Sequence, residues 1–404
     1  MSKTTAILFI IVASVAECLG CKKAFAPKII GVSAGYLVVE GVINSNAGDT
    51  TYIKLSRMTP VTSADTAKVE HNAVVTVEGS NNAAYQLSES GNGIYTASLG
   101  GLIPNAKYRL HIKTTDNREY LSDYLQAKAT PPIDSIAYSV QNNGVQFYVY
   151  AHDPTGDTRY YRWDFDETFG YFSMYTSTYK IGPDSLPHFR IEQADKIREC
   201  YKTLQSKAVL LGSSAKLSKD EIDKEPVDFI TQESGKISHG YSLLVRQYAL
   251  TADAFNYWQN LKKNTEQIGT IFDAQPSEIQ GNIHCLTNPA EPVAGYISAS
   301  SVTAKRIFLD AQTTGLFVPT YLPPPEAGEC GIGDIPVEPQ STFAARLNDL
   351  IISQNVVLIS GVSPPGSSVI TGYTYAWAPC VDCRAKAPLG TNTVPVFWPP
   401  SEHE

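Results

Sequence analysis

The amino-acid sequence predicts a mainly β protein: an N-terminal immunoglobulin-like β-sandwich followed by a larger β-rich domain with one or two helices. Three observations carry this expectation. Short alternating runs recur at even spacing between residues 35 and 130, the pattern of a many-stranded sandwich. The chain holds 23 tyrosines and only 3 methionines, and aromatic and β-branched side chains suit the pleated, half-buried surface of a strand. Thr130-Pro131-Pro132 then breaks the rhythm, because proline cannot donate to a ladder and stiffens a connection.

In the first domain, Tyr36 to Ile43 is a β-rich run stopped by Asn44-Ser45-Asn46. Tyr52 to Ser56 and Ala73 to Glu78 alternate. Tyr85 to Leu87 and Ile94 to Thr96 flank Gly91-Asn92-Gly93, a strand–turn–strand signal. In Tyr108 to Lys113 the apolar Tyr108, Leu110 and Ile112 share one face. His111 lies on the other face and reads as exposed. Glu119 to Ser122 returns after a turn at Asp116-Asn117.

The second domain, 133–404, opens with a hairpin, Ser135 to Val140 and Val145 to Ala151 around Asn142-Asn143-Gly144. Tyr161, Trp163 and Phe165 share one face of the next strand, and Arg162, Asp164 and Asp166 the other. Lys216 to Lys224 reads as a loop or short helix, and Ser242 to Tyr248 as a strand. Thr251 is placed as an N-cap before Ala254, Phe255, Trp258 and Leu261 at helical spacing. Strand-like runs resume at 295–300 and 306–309. Residues 319–339 hold six prolines and Cys330 and read as an extended loop, a candidate contact surface. Phe343 to Ser353 reads as a second helix and Val356 to Ile359 as a strand.

The N-terminus carries a localisation signal. Lys3 precedes an apolar run, Ala6 to Ala16, too short to span a bilayer. Leu19-Gly20-Cys21 then sets a small residue before a cysteine, the pattern of a bacterial lipoprotein signal. Residues 1–20 are expected to be removed, Cys21 to be the lipidation site, and 21–34 to form a tether held to a membrane by acyl chains. The net charge of −8, with no basic run, argues against nucleic acid as a partner.

Beyond Cys21, cysteines stand at 200, 285, 330, 380 and 383. An exported chain meets oxidising conditions, and five thiols leave at least one out of any internal pairing. Cys380-Val-Asp-Cys383 lacks the second ligand pair of a zinc site and a thioredoxin-like setting. A structural disulfide is expected there, with Cys330 a candidate partner for one of the two.

No strong catalytic motif is present: no H-E-x-x-H and no phosphate-binding loop. The expectation is a non-catalytic protein without metal or cofactor. Asp153, Asp157, Asp164, Asp166 and Glu167 read as a solvated polar face, with calcium ligation or a glycosidase pair as the sharper alternatives. The aromatic stretch from Tyr160 to Tyr179 divides between core and recognition. Phe169, Tyr171 and Phe172 around Gly170, with Tyr175, are the candidate recognition residues, since exposed rings offer rigid contact area at low entropy cost.

Several segments together resemble a known family. They include Leu37-Val-Val-Glu-Gly41, Thr130-Pro-Pro-Ile-Asp134, Tyr161-Arg-Trp163, Tyr241 to Gln247, Trp258 with Lys262 to Gln267, Pro276, Gly281-Asn-Ile283 with Cys285, and Lys305-Arg306. Cys380 to Cys383, Gly390-Thr-Asn392 and Pro395-Val-Phe-Trp398 complete the order. Together they are similar to the Bacteroidota lipoprotein family catalogued as domain of unknown function 4249, over nearly the whole mature chain. The resemblance implies an outer-membrane lipoprotein, at the cell surface more than the periplasmic face, serving a TonB-dependent transporter as an accessory or substrate-capturing subunit. It supplies no catalytic residues. A free-standing surface glycan-binding or adhesion protein is the alternative, and a surface hydrolase a further one.

Overall fold

The computed structural model describes residues 35–59, 68–103, 106–191, 196–266, 279–316, 319, 330–385 and 390–399. The leader, Cys21 and the tether lie outside the described residues.

The first sandwich is built from β1 (Leu37–Asn44), β2 (Thr50–Arg57), β3 (Lys68–Val69), β4 (Val74–Gly79), β5 (Ala84–Gly91), β6 (Ile94–Ser98), β7 (Lys107–Lys113), β8 (Glu119–Ser122) and β9 (Leu125–Gln126). β5 carries the chain between layers: its first half pairs with β4 (Val75↔Leu87) and its second with β6 (Ser88↔Thr96). Alternate residues of both layers, among them Leu37, Ile53, Val75, Val77, Tyr108 and Leu110, meet in one core. The alternation read from sequence is therefore the alternation that buries the core.

The second sandwich comprises β10 (Ile133–Gln141), β11 (Gly144–His152), β12 (Tyr160–Phe172), a small hairpin of β13 (Tyr179–Ile181) and β14 (Pro187–Phe189), then β15 (Glu199–Gln205), β16 (Leu210–Ser213), β17 (Glu221–Thr231) and β18 (Tyr241–Ala249). One layer is β10-β11-β17. The other runs β15-β12-β18 and ends on a later strand. Helix α1 (Ala252–Glu266) follows, capped as expected: the Ala254 N–H donates to Thr251 Oγ1 at 3.2 Å.

Three expectations need correction here. The first sandwich is not complete at residue 130. β19 (Ile283–Cys285) pairs with β8, and β20 (Ser298–Ser300) lies parallel to β1. These short strands cover edges that would otherwise present unpaired backbone groups, and they bury Ile283, Cys285, Ile297 and Ala299 in the first core. His111 is not exposed. It is half-buried, with Nδ1 2.8 Å from Glu78 Oε1. The polar stretch at 216–224 is loop only as far as Asp220, and β17 begins at Glu221.

β21 (Val302–Leu309) returns to the second sandwich beside β18, and a one-turn helix α2 (Ala311–Thr314) follows. A last lobe holds β22 (Ile332–Pro336), helix α3 (Gln340–Gln354), β23 (Val356–Val362) and β24 (Gly372–Trp377). Its core joins Phe343, Leu347, Leu358 and Tyr373 to Tyr179 of the small hairpin. The proline-rich segment is thus not wholly loop, since 332–336 forms a strand against β24. Residues 320–329 lie outside the described residues.

The Thr130–Pro132 connection is pinned. Thr130 N–H donates to Ser301 Oγ at 2.6 Å, and Ala249 N–H donates to Thr130 Oγ1 at 3.0 Å. Gln247, fully buried, donates to Pro131 O and accepts from Trp163 Nε1, both at 2.8 Å. β1 runs away from Gly35 toward this junction, where Asn44 pairs with Ser300. The chain therefore enters the first sandwich at the end opposite the second.

Candidate functional site

The outer face of β12, β18 and β21 brings chemistry from distant segments together. Strand alternation sends Asp164, Asp166, Arg246 and Arg306 to this face. Arg246 donates Nε to Asp164 at 2.6 Å and both terminal nitrogens to Asp166 at 2.7 and 2.8 Å. The Asp166 bonds hold its guanidinium above its ordinary pKa despite burial. At one end of the face, Arg162 lies over Tyr248 (4.3 Å) and over Trp258 of α1 (4.7 Å).

At the other end the C-terminal segment lays down an aromatic cluster. Thr391 exchanges backbone hydrogen bonds with Tyr201, at 2.7 and 3.0 Å. Trp398 then packs over Gly240, whose φ is +82°, and a Cβ there would fall 2.8 Å from the indole. The Trp398 ring meets Tyr201 at 5.1 Å, Phe308 at 6.2 Å and Phe397 at 6.4 Å. Phe308 and Phe397 each keep 40% of their surface exposed. Arg306 lies 3.6 Å over the Phe397 ring and donates to Ser242 Oγ at 2.6 Å. Burial pulls the Arg306 guanidinium below its ordinary pKa, against the attraction of Asp166.

Phe172 extends the cluster, with its ring 4.0 Å from His239 and Arg198 over it at 5.0 Å. His239 bonds Glu199 at 2.9 Å, and Tyr201 donates to the same oxygen at 2.6 Å. The His239 bond pulls the Glu199 carboxyl down to about 2, against burial and with Tyr201 assisting.

Of the candidate recognition residues, only Phe172 reaches this face. Phe169 is 5% exposed and Tyr171 2%, both in the second core. Gly170 lies within a 13-residue strand, where a Cβ would collide with His239 O. The Phe169 and Tyr171 rings both face the second core from a strand paired with β15, and with β18 as far as Phe169, and Tyr171 donates to Cys383 O at 3.0 Å. Tyr175 is half-buried and donates to Cys330 O at 2.6 Å, a packing role beside a disulfide.

Cys330 pairs with Cys380, as one of the anticipated pairings. Cys383 pairs instead with Cys200, and Cys285 is a buried free thiol. Each half of the Cys380–Cys383 motif thus belongs to a different disulfide. Four of the five acidic residues are taken up by protein partners: Asp153 caps its own turn through Thr155 and Thr158, Asp164 and Asp166 hold Arg246, and Glu167 holds Lys236 at 2.5 Å, whereas Asp157 is exposed. Among the described residues no group of three or more metal-ligating side chains converges.

Between the layers, the Tyr241 hydroxyl stands 3.1 Å from Asp228 Oδ2 and 3.2 Å from Glu167 Oε2. A phenol donates once, so both contacts are satisfied when Asp228 carries a proton. Burial, aided by Glu167, pushes the Asp228 carboxyl up to about 6.

Sequence reasoning passed over His239, Phe308 and Phe397 as contact residues. Arg306, Phe397 and Trp398 stand out only within motifs, since the five come from three separate segments.

Fold and site together define a two-sandwich β protein with an aromatic, arginine-bearing outer face. The family model described as Domain of unknown function (DUF4249) matches residues 22–306, and the chain belongs to that family. No curated protein matches the chain. A crystal structure of a Bacteroides uniformis protein proposed to bind carbohydrate aligns at 10% identity over 54% of this chain and 91% of that one. Its TM-score is 0.13, which carries no argument.

Proposed function

We propose that this chain is a non-catalytic, lipid-anchored outer-membrane protein that presents a recognition face to, or beside, a TonB-dependent transporter. One observation supports this most: the aromatic face lies on the sandwich remote from Gly35. With Cys21 acylated, the first sandwich becomes a spacer and the pinned Thr130–Pro132 junction transmits its orientation to the second. Confinement to the membrane plane raises the effective concentration of the face beside a partner, so a modest interface suffices. The exposed rings favour a second reading, a free-standing surface glycan-binding protein. Affinity purification from detergent-solubilised outer membranes separates the two. A transporter recovered at stoichiometric yield, and lost with Cys21→Ser, is the expected result. Glycan capture by cells lacking any co-purifying transporter supports the second reading. A chain that stays membrane-bound as Cys21→Ser overturns the anchor.

A further inference from the structure

We propose that Arg306 is the carboxylate-binding residue of an acidic-glycan site on this face, an inference that rests on reading the face as the recognition surface. The half-buried guanidinium has no carboxylate partner among the described residues. Its neighbour Arg246 is the contrast, because Asp164 and Asp166 already neutralise it. Phe397 covers one flat side of Arg306 and Ser242 takes one donor. The rest of the planar fork is left for a ligand, and that fork matches a carboxylate with two parallel bonds. Stacking on a ring holds the fork in place before binding, which lowers the ordering cost.

The surroundings select what carries the carboxylate. Phe308 and Phe397 are each 40% exposed, and Trp398 stands between them. Aromatic faces are electron-rich and attract the positive edges of C–H bonds. A uronic acid combines a C–H-rich pyranose face with a ring-borne carboxylate, so one sugar can meet a ring and the guanidinium together. An acidic peptide brings a carboxylate but no C–H-rich ring face on which Phe308 and Phe397 could stack.

Calorimetric titration of the soluble chain from residue 22 tests this with oligogalacturonate and alginate oligomers, against cellohexaose as a neutral oligomer and polyglutamate as an acidic peptide. The expected result is binding of an acidic oligomer, weakened at least about tenfold by Arg306→Gln. Arg306→Lys should recover part of that loss, and Phe397→Ala should weaken binding with the fold intact by circular dichroism. Equal binding of cellohexaose, equal binding of polyglutamate, or wild-type affinity in Arg306→Gln overturns the proposal. So does binding that appears only when residues 400–404 are removed, because the chain's own carboxylates would then be the occupant. Failure of both acidic probes while a transporter still co-purifies sinks this inference and leaves the accessory role standing.

Discussion

Each sandwich carries an arginine–carboxylate network, and the two differ in how completely it is closed. In the first, Arg57 donates to Glu70 (2.5 Å) and to the Tyr120 hydroxyl (3.3 Å), which itself donates to Glu291 (2.8 Å). Arg118 closes the far side with two bonds to Glu291 at 3.0 and 3.1 Å. Arg57, Glu70, Tyr120 and Glu291 are all buried, beside a cleft of about 840 Å³ near Gly35. In the second, the network lies on the outer face, and Arg306 stands beyond its last carboxylate. A closed buried network specifies one packing. An open one at the surface leaves a donor for something outside the chain.

The largest test of this contrast is Arg57→Ala. It strands Glu70 in a buried site and removes a partner of Tyr120, so urea denaturation should show a loss of about 3–5 kcal/mol. Arg246→Ala on the outer face, where water can reach Asp164 and Asp166, should cost below about 2 kcal/mol. Equal losses would erase the distinction between closed and open networks.

Next in size is Gln247→Leu, at the junction between the sandwiches. It leaves the Trp163 indole N–H buried without an acceptor, and the expected cost is about 1–3 kcal/mol. Pro131 O keeps its bond from Thr303, so the loss should be confined to the Trp163 side. Trp163→Phe in the same background should recover part of it, because the stranded donor is then gone. A double-mutant cycle showing no coupling would remove this clamp from the account.

Much of the strand order was legible because period-two alternation persists wherever one face is buried. The 133–152 hairpin and the Thr251 cap are cases in which local chemistry determined the outcome. β19 and β20 were not legible as part of the first sandwich, because three-residue strands hold no period and their partners lie far away in the sequence. The Cys200–Cys383 bond spans 183 residues, a distance over which spacing carries no signal. Phe169 and Tyr171 misled because glycine in a strand marks close backbone approach as readily as it marks a turn. The face itself is assembled from residues 172, 239, 306–308 and 397–398, each unremarkable in its own segment.

The smallest expected effect sharpens the comparison inside the second sandwich, where Tyr241 links Asp228 and Glu167 without an arginine. Asp228 has a folded pKa of about 6, above the ordinary 3.8. Between those values the native state holds a proton that the unfolded chain has released. Stability from this group is therefore full below about pH 4 and falls as pH rises through the window. Asp228→Asn presents a permanent donor to the Tyr241 oxygen and removes the titration. The variant should be more stable than wild type by about 1–2 kcal/mol near pH 7.5, with the gap closing toward pH 4. Glu199 works in the opposite sense, since its lowered carboxyl stabilises above its ordinary value and loses that contribution as pH falls toward 2. The difference between wild type and Asp228→Asn cancels that background. Denaturation midpoints that run parallel from pH 4 to pH 8 would show that the Asp228 carboxylate is accommodated in the buried cluster without cost, and this sandwich too would then count as closed.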